Sequence, residues 1–353
     1  MEILKDTLNR IEAVNHERMA KKEKELDSLL KTPKGLGKLE TLAIQLEGIR
    51  EGYIPEKKVV LIMAADNGVE REKVSKSKRI ITRYVVEAML KGRSSVNALA
   101  NVYGTDIKVV DLGIDEKKDE KDEIDLDGVI DEKLMEYGTG NIAEGPAMSY
   151  ATAIKAIEVG IKSVDNLVSG GYNLFATGEM GIGNTTTSSA ILKVFTDLPL
   201  DDIVGYGSGI DEEGIRHKKE VIKKAIEINT DIGKMNTEDP IDVLAKVGGL
   251  DIAGITGIYL GCAKNRVPVV IDGFISGVAA LLAFKLCRNV RGFMIPSHLS
   301  EEPGMKYIMR ELGLEALLYM NMKLGEGSGA VMMFPIIEGA VNITKIVRKY
   351  PVV

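Results

Sequence analysis

The sequence predicts an α/β protein in which a mainly parallel sheet is covered by helices on both faces. Three observations carry this reading. Six short apolar runs, "KKVVLIMAADNG", "DIKVVDLGID", "YNLFATGEMG", "RVPVVIDG", "NVRGFMIPS" and "ALLYMNMKLGEG", each end in a loop rich in Gly, Asp, Glu, Ser or Asn. Runs this short and this uniformly apolar fit strands buried on both faces. Longer stretches such as "IITRYVVEAMLKGRSSVNALANVY" and "PAMSYATAIKAIEVGIKSV" lie between them and read as helices. Glycine is also frequent, 37 in 353 residues, as many tight strand-to-helix turns require. Ligands of such sheets bind beyond the carboxyl ends of the strands, so the six loops are where chemistry is expected.

Taken in order, residues 1–50 read as charged amphipathic helices with one interruption at "KTPKGLGKLE". The pattern then changes to the alternation of strands and helices, so a boundary is expected near residue 50. Residues 115–133, "DEKKDEKDEIDLDGVIDEK", form a charged insertion that reads as solvated surface. No internal repeat and no long linker is visible.

Composition bounds the function. The hydrophobic fraction of 45% and charged fraction of 28% are those of a soluble globular protein. The net charge of −6 argues against nucleic-acid binding by bulk electrostatics. Two cysteines, Cys262 and Cys287, cannot form a disulfide framework and read as buried thiols in a reducing compartment. The N-terminal stretch lacks the apolar core of a signal peptide. The longest apolar run, "VPVVIDGFISGVAALLAF", is broken by Pro268, Asp272, Gly273 and Gly277 and reads as strand, turn and helix, not as a membrane span. A cytoplasmic protein is expected. Its three histidines are scattered and no Cys/His cluster exists, so no metal site is expected.

Four loops carry candidate chemistry. "GEMGIGNT" has the spacing of a phosphate loop, G-x-x-x-x-G-K-[ST], with Asn184 where the lysine belongs. Gly181 and Gly183 let backbone N–H groups approach an anion. Asn184, Thr185 and Thr186 add donors at the start of the following helix. The lysine of such loops reaches outer phosphates, so its absence favours a monophosphate. A glycine turn with ordinary helix caps is the competing reading. Glu179 inside the loop is unfavourable for an anion unless it faces another part of the ligand. "VGYGSGIDEEGIRHKKEVI" offers Gly207 and Lys218, although a helical lysine is more often on the surface. In "LGEGSGA" the glycines on both sides expose the carboxylate of Glu326, which otherwise reads as a helix-capping residue. "SHLSEEPG" offers Ser300 as a donor and His298, the most suggestive histidine.

The strings "MAADNGV", "GTGNIAEGPAMS", "GEMGIGNTTTSSA", "VGGLDIAGITG", "RVPVVIDGFIS", "SHLSEEPG" and "LGEGSGA" resemble, in order and spacing, the nicotinate-nucleotide–dimethylbenzimidazole phosphoribosyltransferases. The resemblance runs from about residue 31 to about residue 345. It implies a doubly wound, Rossmann-like fold with a small helical domain. The implied division is a helical part at 1–50, a catalytic domain at 51–335 and a returning helix at 336–353. It also implies a homodimer, no cofactor, and the transfer of a phosphoribosyl group from nicotinate mononucleotide to a benzimidazole. By position, Glu326 matches the family's catalytic base and Glu179 a second active-site carboxylate. The phosphate ligands fall on Gly181, Asn184, Thr185, Gly207, Lys218 and Ser300, and the base pocket on Ser77, Val85 and Met180. Departures from the family pattern are Asn67 and Met305 in place of histidines, "KTPKGLG" for "KPPGSLG", and Val85 where some members carry glutamine. Two alternatives are carried forward: a member tuned to another base, such as adenine, benzimidazole or a phenol, and a non-catalytic subunit supporting an active paralogue.

Overall fold

A computed structural model describes residues 2–115 and 124–351. Its centre is a parallel sheet of β1 (Lys58–Ala65), β2 (Asp106–Gly113), β3 (Ile130–Asp131), β4 (Leu174–Met180), β5 (Val269–Ile271) and β6 (Met294–Pro296), in the order β3-β2-β1-β4-β5-β6. Parallel neighbours need crossover connections, and helices supply them on both faces. β1 shows the consequence for sequence. Val59, Leu61, Met63 and Ala65 enter one core cluster, while Val60, Ile62 and Ala64 enter the other. Every residue of β1 after Lys58 is buried, so the strand reads as one apolar run and not as an alternation.

Five of the six expected strands form. The sixth run, "ALLYMNMKLGEG", does not. It contributes one bridge, His298 to Leu318, and then leaves the sheet. Tyr319 and Met320 are 67% and 50% exposed, so the run lacks the two-sided burial that makes an apolar stretch a central strand. In its place the sheet is extended at the other edge by β3, inside the charged insertion. Both β3 residues are exposed, a short polar edge strand with no apolar signature. Residues 116–123 of that insertion lie outside the described residues.

The N-terminal region breaks twice. Helices span Glu2–Arg10, His16–Asp27 and Lys38–Ile49. The first break has a local cause: Asn15 caps the second helix, its Oδ1 accepting from the N–H of Arg18 at 2.9 Å. Leu4 and Ile11 join the core on one face of the sheet, whereas Leu26, Leu42 and Leu46 join the core on the other. Helix Phe334–Ile346 packs on Lys38–Ile49, and the chain beyond it returns to residues 28–31, with the N–H of Leu30 donating to Arg348 O at 2.7 Å. Ser328–Ile346 has the length and mean hydropathy, 1.3, of a membrane-crossing helix. Its Phe334, Ile337, Ala340 and Ile343 lie in the core. Cys262 is buried and Cys287 half-buried, and both are free.

Helix Leu250–Lys264 matters most for the site. It lies against Tyr150–Ser169 so closely that a Cβ at Gly160 or Gly257 would collide with the facing backbone. Its N-terminus carries Asp251, fully buried, towards the carboxyl end of β4.

Candidate active site

The strand order reverses direction between β1 and β4, so the chains leaving those strands diverge and open a crevice. A cavity of about 610 Å³ occupies this place. Of the residues assigned through the family resemblance, all line it except Lys218: Glu326 and Glu179, then Gly181, Asn184, Thr185, Gly207 and Ser300, then Ser77, Val85 and Met180.

β4 ends in Glu179 and Met180, and Gly183 (φ +97°) turns the chain into helix Asn184–Phe195. The side chain in the lysine position of the loop is turned to carboxylates. The Asn184 amide donates to Glu179 Oε2 and, at 3.1 Å, to Asp251 Oδ2. Burial pushes the Glu179 carboxyl up to about 8, helped by the charges of Asp251 and Asp272. Burial likewise pushes Asp251 up to about 7, against its hydrogen bonds. Two buried carboxyl groups sharing one amide cannot both be charged cheaply, so the pair retains a proton near neutrality.

The missing cation comes from elsewhere. Lys218 is fully buried, and its ammonium donates to Thr185 Oγ1 at 2.8 Å. Burial lowers it to about 8, against the attraction of Glu302. Gly207 lies between this ammonium and the cavity. Its φ is +50°, and a Cβ there would sit 3.0 Å from Thr185 Oγ1 and 3.3 Å from Lys218 Nζ. The N–H of Gly207 donates to Glu302 Oε1 at 3.0 Å. Ser300 Oγ, on the same wall, accepts from the N–H of Glu302 at 3.4 Å.

Glu326 stands on an unusual backbone. Gly325, Glu326 and Gly327 have φ of +84°, +61° and +85°, three consecutive left-handed residues. A non-glycine residue there carries about 1–3 kcal/mol of strain. Its N–H donates to Glu179 Oε1 at 3.3 Å. The carboxylate is half-buried, Oε2 has no hydrogen-bond partner, and burial followed by the charge of Asp272 raises its pKa.

Sequence reasoning missed Asp251, Asp272 and Glu302. Asp272 follows β5 directly, and a carboxylate closing a buried strand was the available signal. His298 does not line the cavity. It is buried, its Nδ1 is 3.1 Å from Ser297 Oγ, and its ring fills the space a side chain at Gly329 would need. Asn67 is fully buried beside Gly181 and Gly249, and Met305 lies in the core. Among the described residues no group of three or more His, Cys, Asp or Glu is placed to hold a metal ion.

One wall of this cavity, with Lys218 behind Thr185 and Gly207, is suited to an anion. Another part of the lining, with Glu179 and Glu326, carries carboxyl groups. Known proteins share the whole framework. A family model described as phosphoribosyltransferase matches residues 11–350. The nicotinate-nucleotide–dimethylbenzimidazole phosphoribosyltransferase of Clostridium tetani is 47% identical over 342 residues, 96% of this chain and 91% of the relative. That of Ruminiclostridium cellulolyticum is 48% identical over 338 residues, 95% of this chain and 93% of the relative. The crystal structure of CobT from Thermus thermophilus superposes with a TM-score of 0.86 at 34% identity, covering 93% of this chain and 96% of that one. The chain belongs to this phosphoribosyltransferase family.

Proposed function

We propose that the protein transfers the phosphoribosyl group of nicotinate mononucleotide to 5,6-dimethylbenzimidazole. The products are the α-ribotide of the base and free nicotinate, a step of cobalamin nucleotide-loop assembly. The observation that carries the reading is how a single cavity is lined: a buried lysine, balanced by Glu302, lies behind a glycine in one part, and the carboxyl groups of Glu179 and Glu326 lie in another. A mononucleotide with a cationic ring has the matching polarity.

On this reading the substrate phosphate lies against Thr185, Gly207 and Ser300, with Lys218 as its counter-charge. Gly181 and Asn184 close the loop beneath it. The ribose C1′ faces Glu179 and Glu326. The base enters between Ser77, Val85 and Met180. An azole nitrogen attacks C1′, and the C1′–pyridinium bond breaks with its electron pair returning to the ring. The leaving ring departs neutral at nitrogen and needs no acid. The attached azole is then cationic, and Glu326 accepts the proton from its other nitrogen. Those surrounding carboxyl groups that are ionised favour positive charge developing at C1′. Glu179 serves by orienting the loop of Glu326 through its bond to that N–H.

A second reading concerns the acceptor. The base end of the cavity is apolar, with Ile81, Val85 and Ile182 beside Met180, and an apolar wall suits benzimidazole or another flat base as well. We also read the protein as a cytoplasmic homodimer. In support, both thiols are free, and two apolar residues of the cavity wall, Ile81 and Leu324, are exposed. The test is turnover. Purified protein is incubated with nicotinate mononucleotide and a panel of bases, and ribotide and nicotinate are followed by chromatography. Equal amounts of both products with dimethylbenzimidazole are expected. Product with adenine or a phenol alone would select the tuned-member reading. Tight binding of the mononucleotide without any product would select the non-catalytic subunit.

A further inference from the structure

The backbone at Glu326 is strained, yet the functional reading needs its carboxylate at a fixed point. Something must over-determine the loop. Asp272 does so from the sheet. It is 1% exposed and directly follows β5. Its Oδ2 accepts from the N–H of Gly327 at 3.0 Å, and its Oδ1 from those of Gly329 and Ala330 at 2.8 and 2.9 Å. The last two bonds cap the four-residue helix Ser328–Val331. The first does not serve the helix, because it ties the residue that follows Glu326. Gly327 itself lies flat on β1 and β4, where a side chain would strike Val60. The single bond to the N–H of Glu326, from Glu179, is the longer one at 3.3 Å.

We propose that Asp272 is a positioning residue for the transfer reaction: its three backbone bonds lock the glycine-flanked loop, so that Glu326 keeps its left-handed backbone and presents its carboxylate to the cavity. The proposal rests on the reading of Glu326 as the base. Asp272 touches no reacting atom in this scheme, and because both its oxygens are taken up by backbone N–H groups it acts through Glu326.

Asp272→Asn isolates the effect. Its one remaining oxygen can serve Gly329 and Ala330 together, or Gly327, but not both. If the helix cap is kept, an NH₂ faces the N–H of Gly327, donor against donor. Misplacement of a catalytic group by about 1 Å costs on the order of a hundredfold. Steady-state kinetics with nicotinate mononucleotide and dimethylbenzimidazole should therefore show kcat reduced by ~10–100-fold with KM for the mononucleotide within about twofold. In a Glu326→Gln background the same change should cost less than about twofold, because the group it positions is already disabled. An unchanged kcat, a rise in KM alone, or the same proportional loss in both backgrounds overturns the proposal. A wild-type protein that makes no ribotide overturns the functional reading and this inference with it. An active wild type with an unaffected variant overturns this inference alone. Residue-resolved amide exchange on the wild type needs no variant to fold. The Gly327, Gly329 and Ala330 amides should exchange slowly, and rapid exchange at Gly327 would also sink the idea.

Discussion

Replacing Glu326 by glutamine separates chemistry from structure at this site more cleanly than any other change. The substitution keeps length, shape and the φ of +61°. It removes basicity and one negative charge. That charge is costly where it stands: Oε2 has no hydrogen-bond partner, and burial together with Asp272 already opposes ionisation. Losing it relieves repulsion with Asp272, so folding stability should hold or rise. The N–H of residue 326 still donates to Glu179. The chemical step should suffer instead. A placed general base is worth ~10²–10⁴-fold, which at about 1.36 kcal/mol per tenfold is ~2.7–5.4 kcal/mol of barrier. Single-turnover formation of the ribotide is the assay, because product release no longer masks the chemical step. Thermal unfolding of the same preparation supplies the control. Glu179→Gln should lower the single-turnover rate by less, since on the proposed mechanism Glu179 positions the loop and takes no proton. A near-normal rate for Glu326→Gln would refute the assignment of the base, and Glu179 would become the first candidate. A slow variant that has also lost thermal stability would mean that the loop had collapsed.

Other expectations follow from the buried charges. Asp66, Asp251 and Glu179 all have folded pKa values raised by burial, to about 6, 7 and 8. Carboxyl groups raised in this way contribute stability that is full below their unfolded values and is lost as pH rises through the folded ones. Thermal stability should thus fall between pH 5 and pH 8, with a shallower slope in Glu179→Gln, and a rise over that window would contradict the geometry. Lys218 enters only above this range, because its lowered value of about 8 makes it titrate there. Lys218→Met should weaken nicotinate mononucleotide by about 10–150-fold in calorimetry, the ~1.5–3 kcal/mol of a charge-assisted hydrogen bond. Unchanged affinity would remove it from the phosphate site. Discrimination between dimethylbenzimidazole and unsubstituted benzimidazole in direct competition should stay below about a thousandfold, since apolar walls give only ~1–3 kcal/mol per methylene-sized difference. A larger preference would require a polar contact to the base.

The strands were legible because burial on both faces leaves a continuous apolar run, and β1 and β4 are such runs. That same signal failed at 316–327, where an apolar composition hides three exposed side chains, Tyr319, Met320 and Leu324. Glu326 was legible from its neighbours, since glycines on either side of a glutamate serve a backbone that other residues avoid. Lys218 was half legible. Helix Glu212–Asp231 buries Ile215, Ile222 and Ala225, and Lys218 lies on that stripe at the i+3 position from Ile215. A lysine on an apolar stripe is a lysine with a buried task, and reading the face instead of the residue type would have marked it. Asp251 was not legible in this way, and Asp272 only as a carboxylate closing a buried strand. Their work is done on backbone and side chains 67 and 55 residues away in sequence. Asn184 shows the same limit from the other side. Its position in the loop pointed to a phosphate, while its amide is engaged by Glu179 and by a carboxylate from a different helix.

The distribution of charge also bears on how the proposed reaction is carried through. Glu179, Asp272, Glu302 and Glu326 line the cavity, with Lys323 among them and Lys218 behind the wall. Nicotinate mononucleotide brings a dianionic phosphate and a ring whose nitrogen is cationic. On the proposed reading the phosphate end is met by the lysine, and the ring cation by ionised carboxyl groups. During transfer the positive charge leaves the ring, passes through C1′ and arrives on the azole, still within the same wall. On this reading the departing nicotinate is left with only its carboxylate, which the ionised acidic groups of the lining disfavour. The azole keeps its charge until Glu326 takes the proton. A wall of this kind therefore favours the donor before bond breaking and the acceptor adduct after it, while disfavouring the leaving group at the moment it is formed. A polyphosphate finds no such match, because its further negative charges would fall against the carboxylates. On the proposed reading, the absence of lysine from the glycine loop and the presence of glutamate in it go together: the cation, Lys218, lies on the far side of Gly207, and the space beside the loop is left to carboxyl groups.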